Sequence, residues 1–187
     1  MGTVKSLLLG MCFVLGACTS QTSTVQTTEK GTQWEWQNGT IVVKTPERPA
    51  GQKSVLGLTT PKLEAVRVGF VGLGMRGPGA VERFTYIPGT QVVALCDYEE
   101  ARADKCQELL KKASMPKAAV YSGDKGYEEL CKRDDIDLVY IAADWLHHFP
   151  VAKCALENGK NVAIEVPSAM NLQECCCLLY TSPSPRD

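Results

Sequence analysis

The sequence predicts an α/β fold built on a doubly wound parallel sheet. Three observations predict it. Apolar runs without strict alternation recur between residues 66 and 165, as in strands buried on both faces. Stretches of helical character separate the runs, the alternation that builds parallel sheets. The first run, Val66 to Val71, opens directly into Gly72-Leu73-Gly74-Met75-Arg76-Gly77, a Gly-x-Gly-x-x-Gly turn.

That turn has a mechanical reading. Gly72 makes the tight bend, Gly74 admits a pyrophosphate to the backbone, and Gly77 lets the crossover helix pack on the strand. Free N–H groups at the helix start favour phosphate charge. A second apolar run, Val92-Val93-Ala94-Leu95-Cys96, ends on Asp97, twenty residues past Gly77. A carboxylate there accepts hydrogen bonds from an adenosine ribose and repels a 2′-phosphate. The pattern therefore predicts a Rossmann nucleotide-binding domain that takes NAD rather than NADP.

The remaining elements follow in order. Glu99 to Ala113 reads as a helix, Ala119-Val120-Tyr121 as a short third strand, and Tyr127 to Cys131 as the start of another helix. Asp137 to Ala142 is a fourth strand, Pro150 to Asn158 continues a helix that closes at Gly159, and Asn161 to Glu165 is a fifth strand. Ligands of such sheets sit outside the carboxyl ends of the strands. Two loops are therefore expected beside the glycine turn: Ala143-Asp144-Trp145-Leu146-His147-His148 and Glu165-Val166-Pro167. His147 and His148 are the only histidines, and their place at a strand end predicts that one touches the ligand.

Composition excludes other classes. A net charge of −1 gives no footprint for nucleic acid, and 44% hydrophobic residues suit a globular core. Of nine cysteines, Cys12 and Cys18 lie in an N-terminal apolar segment and Cys175, Cys176 and Cys177 crowd the other end. Cys96, Cys106, Cys131 and Cys154 show no Cys-x-x-Cys pair, so they read as small buried hydrophobes and no metal site is predicted.

The N-terminus reads as an address. Lys5 precedes an apolar stretch from Leu7 to Ala17, too short to span a bilayer but fitting a secretory signal. It ends in Leu15-Gly16-Ala17-Cys18, which resembles a bacterial lipobox. Residues 1–18 are thus expected to be a lipoprotein signal peptide, with Cys18 lipidated and the protein anchored in the bacterial cell envelope. Residues 19–64 read as a polar tether, a small hairpin and a Pro-rich linker. Trp34-Glu35-Trp36 and Thr40 to Val43 flank an Asn38-Gly39 turn, and such a hairpin is expected to pack on the main domain.

Together these residues resemble the Gfo/Idh/MocA family of NAD(P)-dependent sugar-handling proteins, from about Val66 to Glu174. Within it the chain is similar to glycoside hydrolase family 109, the NAD-dependent α-N-acetylgalactosaminidases. The likeness lies in Gly72 to Arg83, in Trp145-x-x-His148, and in Glu165-Val166-Pro167-Ser168-Ala169-Met170. Dehydrogenases of the wider family carry Glu-Lys-Pro at the fifth strand, and Val166 stands here in the lysine's place, as in the glycosidase subgroup. The resemblance implies NAD contacts from Met75, Arg76, Asp97, Trp145, Leu146, His147, His148, Glu165 and Val166, beside Gly72, Gly74 and Gly77. It implies a glycan substrate and a cycle of oxidation, elimination, hydration and reduction in which NAD is regenerated, unlike the two-carboxylate route. Net sugar oxidation by NAD, a non-catalytic NAD-binding lipoprotein and a homo-oligomeric assembly are the other expectations.

In that family the bases and sugar-binding tyrosines lie in a second α/β substrate domain, which is expected to be missing here. The nucleotide domain is placed at residues 65–175. Cys177 to Asp187 looks like neither helix nor strand but like translated sequencing-library adapter, with Cys176 at the junction, so residues 176–187 are expected to be an artefact and the fragment inactive.

Overall fold

The computed structural model describes residues 25–27, 33–45 and 59–180. The expected signal peptide with Cys18, and the last seven residues of the expected tail, lie outside the described residues.

Strands β1 (Gln26–Thr27), β2 (Gln33–Gln37) and β3 (Thr40–Val43) form a small antiparallel sheet. Asn38 and Gly39 both have positive φ, 49° and 79°, the handedness that lets a two-residue turn follow the twist of β2 and β3. Two expectations are corrected. Gln26 and Thr27 belong to the segment that reads as a free tether, yet they pair with Trp34 and Gln33, because the edge of β2 offers unpaired backbone groups. Packing of the hairpin on the main domain would bury its apolar face, but Trp36, Ile41, Val42 and Val43 are all exposed. Trp34 meets Trp36 edge-on, with centroids 6.5 Å apart.

The main sheet comprises β4 (Val66–Val71), β5 (Thr90–Asp97), β6 (Ala119–Ser122), β7 (Leu138–Ile141) and β8 (Asn161–Ile164). Its order is β6-β5-β4-β7-β8, and all neighbouring strands pair in parallel. The strand order reverses between β4 and β7, where such sheets open a crevice for ligands. Helices α1 (Gly77–Thr85) and α2 (Glu100–Lys112) cover one face; α3 (Gly126–Cys131), α4 (Trp145–Glu157) and α5 (Leu172–Tyr180) cover the other.

Strand pleating divides the core accordingly. Val68 and Phe70 of β4 pack with Val81, Leu95 and Leu110, and Phe84 and Tyr140 ring Phe70 at 5.2 and 5.3 Å. Val71 faces the other way, with Leu130, Ile136, Val139, Ile141 and Val151. At the amino end of the sheet the buried Asp137 carboxylate takes the Arg67 guanidinium at 2.7 and 2.8 Å and the Arg67 N–H at 3.0 Å, which compensates its desolvation.

Two helices depart from the sequence reading. The segment Trp145 to His148, which reads as loop, is the first turn of α4, and Pro150 lies inside that helix. Asp144 supplies the start signal, its Oδ1 accepting the Leu146 N–H at 2.9 Å, and burial of Val151, Ala152 and Ala155 in the core helps offset the cost of a proline in the second turn. The stretch from Cys177, which reads as lacking secondary structure, is helical through Tyr180. Asn171 Oδ1 accepts the Glu174 N–H while Glu174 reaches back to the Met170 N–H, and Leu178 packs on the second core cluster.

Candidate functional site

The carboxyl ends of the strands surround a cleft of about 1210 Å³. Of the twelve residues expected to bind the cofactor, eleven line it: Gly72, Gly74, Met75, Arg76, Asp97, Trp145, Leu146, His147, His148, Glu165 and Val166. Gly77 is buried behind the wall.

The glycine turn is built by exclusion. Gly72 has φ of 91°, and a Cβ on it would stand 2.3 Å from the Ala143 nitrogen of the neighbouring strand's exit. A Cβ on Gly77 would stand 2.2 Å from the Gly72 carbonyl oxygen, so this glycine lets α1 start tight against the turn. Gly74 differs: its Cβ direction meets only Arg102 Nη1, at 3.6 Å, among the described residues. The fold does not require that glycine, and the space above it belongs to the cleft. Among the described residues no side chain caps α1, and its first turn holds no acidic residue, so its unpaired N–H groups are open to an anion. This donor set and the open cradle above Gly74 fit the pyrophosphate of a dinucleotide.

Asp97 is buried and does more than mark a strand tip. Its Oδ2 accepts the Leu73 N–H at 2.6 Å; its Oδ1 accepts the Glu99 N–H at 3.0 Å and pairs with Arg102 Nη1 at 3.2 Å. The carboxylate thus ties the glycine turn to the start of α2, and part of its charge is already answered. Arg102 also bridges to Glu99 at 2.9 Å.

The two histidines separate sharply. His147 is exposed, with Nδ1 2.6 Å from Asp144 Oδ2. Burial alone would raise Asp144, but the His147 ring and the Leu146 N–H outweigh it and hold that carboxyl below its usual range. His148 is only 2% exposed, and its Nδ1 lies 2.7 Å from the Pro167 carbonyl oxygen. A carbonyl only accepts, so Nδ1 carries a proton, and in the neutral imidazole Nε2 keeps a lone pair. That Nε2 is buried with no partner among the described residues. A lone pair in this position calls for a ligand donor, an N–H or O–H.

Glu165 accepts the Tyr140 hydroxyl at 2.6 Å, which fixes it at the exit of β8. Burial first, and then this carboxylate, raise the Tyr140 pKa. Val166 beside it is 85% exposed in the cleft wall and offers no titratable group.

Sequence reading missed Arg102, Tyr98, Asp124 and Tyr127, which also line the cleft. The signal for Asp124 and Tyr127 was present, since they follow the carboxyl end of β6 and obey the same strand-end rule. Arg102 carried none, because its role depends on the side chain folding back from α2 onto Asp97. Among the described residues no group of three or more His, Cys, Asp or Glu is placed to hold a metal ion.

Comparison with known proteins agrees with this geometry. A glycosyl hydrolase family 109 protein of Phocaeicola vulgatus is 76% identical over 187 residues, matching all of this chain and 36% of the relative. The chain spans little more than a third of the curated relatives it matches. Among solved structures, myo-inositol dehydrogenase from Lactobacillus casei, in complex with NAD(H) and myo-inositol, superposes with a TM-score of 0.52 at 25% identity over 61% of this chain and 32% of that one. A 3-ketoreductase from Actinomadura kijaniata, in complex with NADP and TDP-benzene, gives 0.51 at 25% identity over 61% and 33%. Residues 66–181 match an oxidoreductase family with an NAD-binding Rossmann fold, and the chain is a member of it: the Gfo/Idh/MocA family.

Proposed function

We propose that the protein to which this chain contributes its nucleotide domain hydrolyses terminal α-N-acetylgalactosaminides with NAD as a recycled cofactor. The observation that carries the reading is Val166, an apolar, exposed residue in the cleft wall where family dehydrogenases hold a lysine. A valine moves no proton, so net dehydrogenation through that position has no acid–base partner. The 76% identity to a glycosyl hydrolase family 109 protein supports the same reading. NAD, when bound, supplies a reversible hydride acceptor. The chain's own residues bind and orient it: the glycine turn and α1 hold phosphate, Asp97 meets the ribose edge, and His148 Nε2 accepts a hydrogen bond from a ligand donor. Bases and sugar-binding groups lie outside this chain, so residues 1–187 alone are inactive on this proposal.

The test is an aryl α-N-acetylgalactosaminide given to the full-length protein with NAD. Phenol release without net NADH is the expected result. The second reading, a sugar oxidoreductase, is favoured by the likeness to myo-inositol dehydrogenase and gives net NADH instead. Neither product, with NAD still bound, leaves a non-catalytic NAD-binding lipoprotein. Anchoring of the protein to the cell envelope through Cys18 is part of the proposal. Labelled palmitate should enter the wild type and not Cys18→Ser, and equal labelling of the two removes this part.

A further inference from the structure

The strand order places Asp97 and Glu165 on opposite sides of the glycine turn. Asp97 ends β5, on one side of β4, and Glu165 follows β8, beyond β7 on the other side. A dinucleotide whose pyrophosphate lies over the turn therefore sends one half toward Asp97 and the other toward Glu165. Two neighbouring residues of β7 hold Glu165 in place. Its N–H donates to the Ile141 carbonyl at 2.9 Å, and its Oε1 accepts the Tyr140 hydroxyl at 2.6 Å. The Tyr140 ring is itself confined, with the Phe70 and Phe84 centroids at 5.3 and 5.5 Å. Burial, and then Glu165, raise the Tyr140 pKa, so near neutral pH the hydroxyl keeps its proton and stays the donor of that bond.

We propose that Tyr140 is a positioning residue for the nicotinamide half of NAD, holding Glu165 by Oε1 so that Oε2 accepts a ligand hydroxyl. The inference rests on the dinucleotide site proposed above. It adds a residue that is not itself part of the cleft wall, because Tyr140 packs with the core on the α1 side of the sheet.

The argument is one of preorganisation. A glutamate at a strand exit samples several rotamers, and a ligand that bonds to it must freeze them. The Tyr140 hydroxyl freezes this one before any ligand arrives, and it occupies one carboxylate oxygen while leaving the other. An ionised carboxylate only accepts, so it selects a neutral hydroxyl donor and disfavours a phosphate. The two ends of the cleft thus differ in kind. Around the glycine turn stand the open N–H groups of α1 with Arg76 and Arg102, which suit phosphate, whereas the exit of β8 presents the Glu165 carboxylate and the His148 Nε2 acceptor, which suit hydroxyl or amide donors.

The test is calorimetric titration of the full-length protein with NAD and, separately, with ADP, which has the adenosine and pyrophosphate but no nicotinamide half. Tyr140→Phe keeps the ring and removes only the hydroxyl. The expected result is NAD bound about tenfold more weakly, with ADP affinity within about twofold of wild type. In a Glu165→Ala background, Tyr140→Phe should change NAD affinity by less than about twofold, because it acts only through the carboxylate. A parallel loss of NAD and ADP binding assigns the hydroxyl to the fold alone and overturns the proposal. Unchanged NAD binding in Tyr140→Phe overturns it too, and so does a full further loss in the Glu165→Ala background. A wild type that binds neither NAD nor ADP removes the dinucleotide site itself, whereas NAD and ADP binding without the Tyr140 effect removes this inference alone.

Discussion

The Leu73 N–H donates to Asp97 Oδ2 across 2.6 Å, so the acid at the tip of β5 holds the glycine turn that leaves β4. One carboxylate thereby shapes the glycine turn and lines the cleft where the ribose of the proposed cofactor would sit. Asp97→Ala should lose about 1–3 kcal/mol of stability, from an unpaired buried N–H, and weaken NAD binding at least tenfold. Asp97→Asn keeps an acceptor for Leu73 and should recover most of the stability. Urea unfolding and calorimetric NAD titration read the two effects, and wild-type stability in the alanine variant contradicts the clamp.

The three glycines of the turn should separate stability from binding. Gly77→Ala drives a Cβ to 2.2 Å from a backbone oxygen and should unfold or strongly destabilise the domain. Gly74→Ala meets no described atom closer than 3.6 Å, so it should fold with stability near wild type. Its methyl group fills the cradle, and NAD affinity should fall by roughly 10- to 100-fold. Thermal melting beside fluorescence titration separates these outcomes.

Arg102 is expected to temper the discrimination against NADP proposed for Asp97. With its guanidinium 3.2 Å from Oδ1, part of the carboxylate charge is neutralised at the place where a 2′-phosphate would arrive. Arg102→Ala should leave NAD affinity within a few-fold and weaken NADP roughly tenfold, about 1.4 kcal/mol, raising the preference for NAD. An unchanged NAD to NADP ratio removes Arg102 from specificity.

His148 should show two separable roles. The short amide of His148→Asn can still donate toward the Pro167 carbonyl but cannot replace the Nε2 lone pair. This variant should keep stability close to wild type while losing NAD affinity, whereas His148→Phe should lose both. Equal affinity of wild type and His148→Asn contradicts the acceptor role.

Alkaline stability is set by the buried thiols. Burial pushes Cys96 up to about 12 and Cys106 up to about 11, from 9.0. Above pH 9 the unfolded chain releases these protons and the folded one does not, so stability falls as pH rises. Each thiol contributes up to about 1.4 kcal/mol per pH unit, and its loss ends at its folded pKa. Urea midpoints between pH 8 and 11 check the slope. Cys106→Ala should flatten it, whereas Cys175→Ala, at an exposed thiol, should not.

The sheet was legible because each of its strands is an apolar run, and the glycine turn because each Gly sits at a fixed offset. What the sequence concealed depends on side chains meeting across the fold. Asp144 as a cap on α4 was missed because the strand-end rule places Ala143 to His148 in a loop, whereas the helix already starts at Trp145 and holds Pro150 inside it. The difference between His147 and His148 is a matter of which side of α4's first turn faces Pro167. Leu178 shows the converse case, where a core contact extends a helix through residues whose pattern suggested none.

The central position of β4 carries a cost during synthesis. It is the first strand of the main sheet to leave the ribosome, yet one of its two edges is closed only by β7, and their contact Arg67–Asp137 spans 70 residues. At about 5–20 residues per second that edge stays open for roughly 4–14 seconds. An apolar strand with unpaired backbone groups is a template for pairing with other chains during that interval. The strand best protected in the finished fold is thus the one most in need of a chaperone while it is being made.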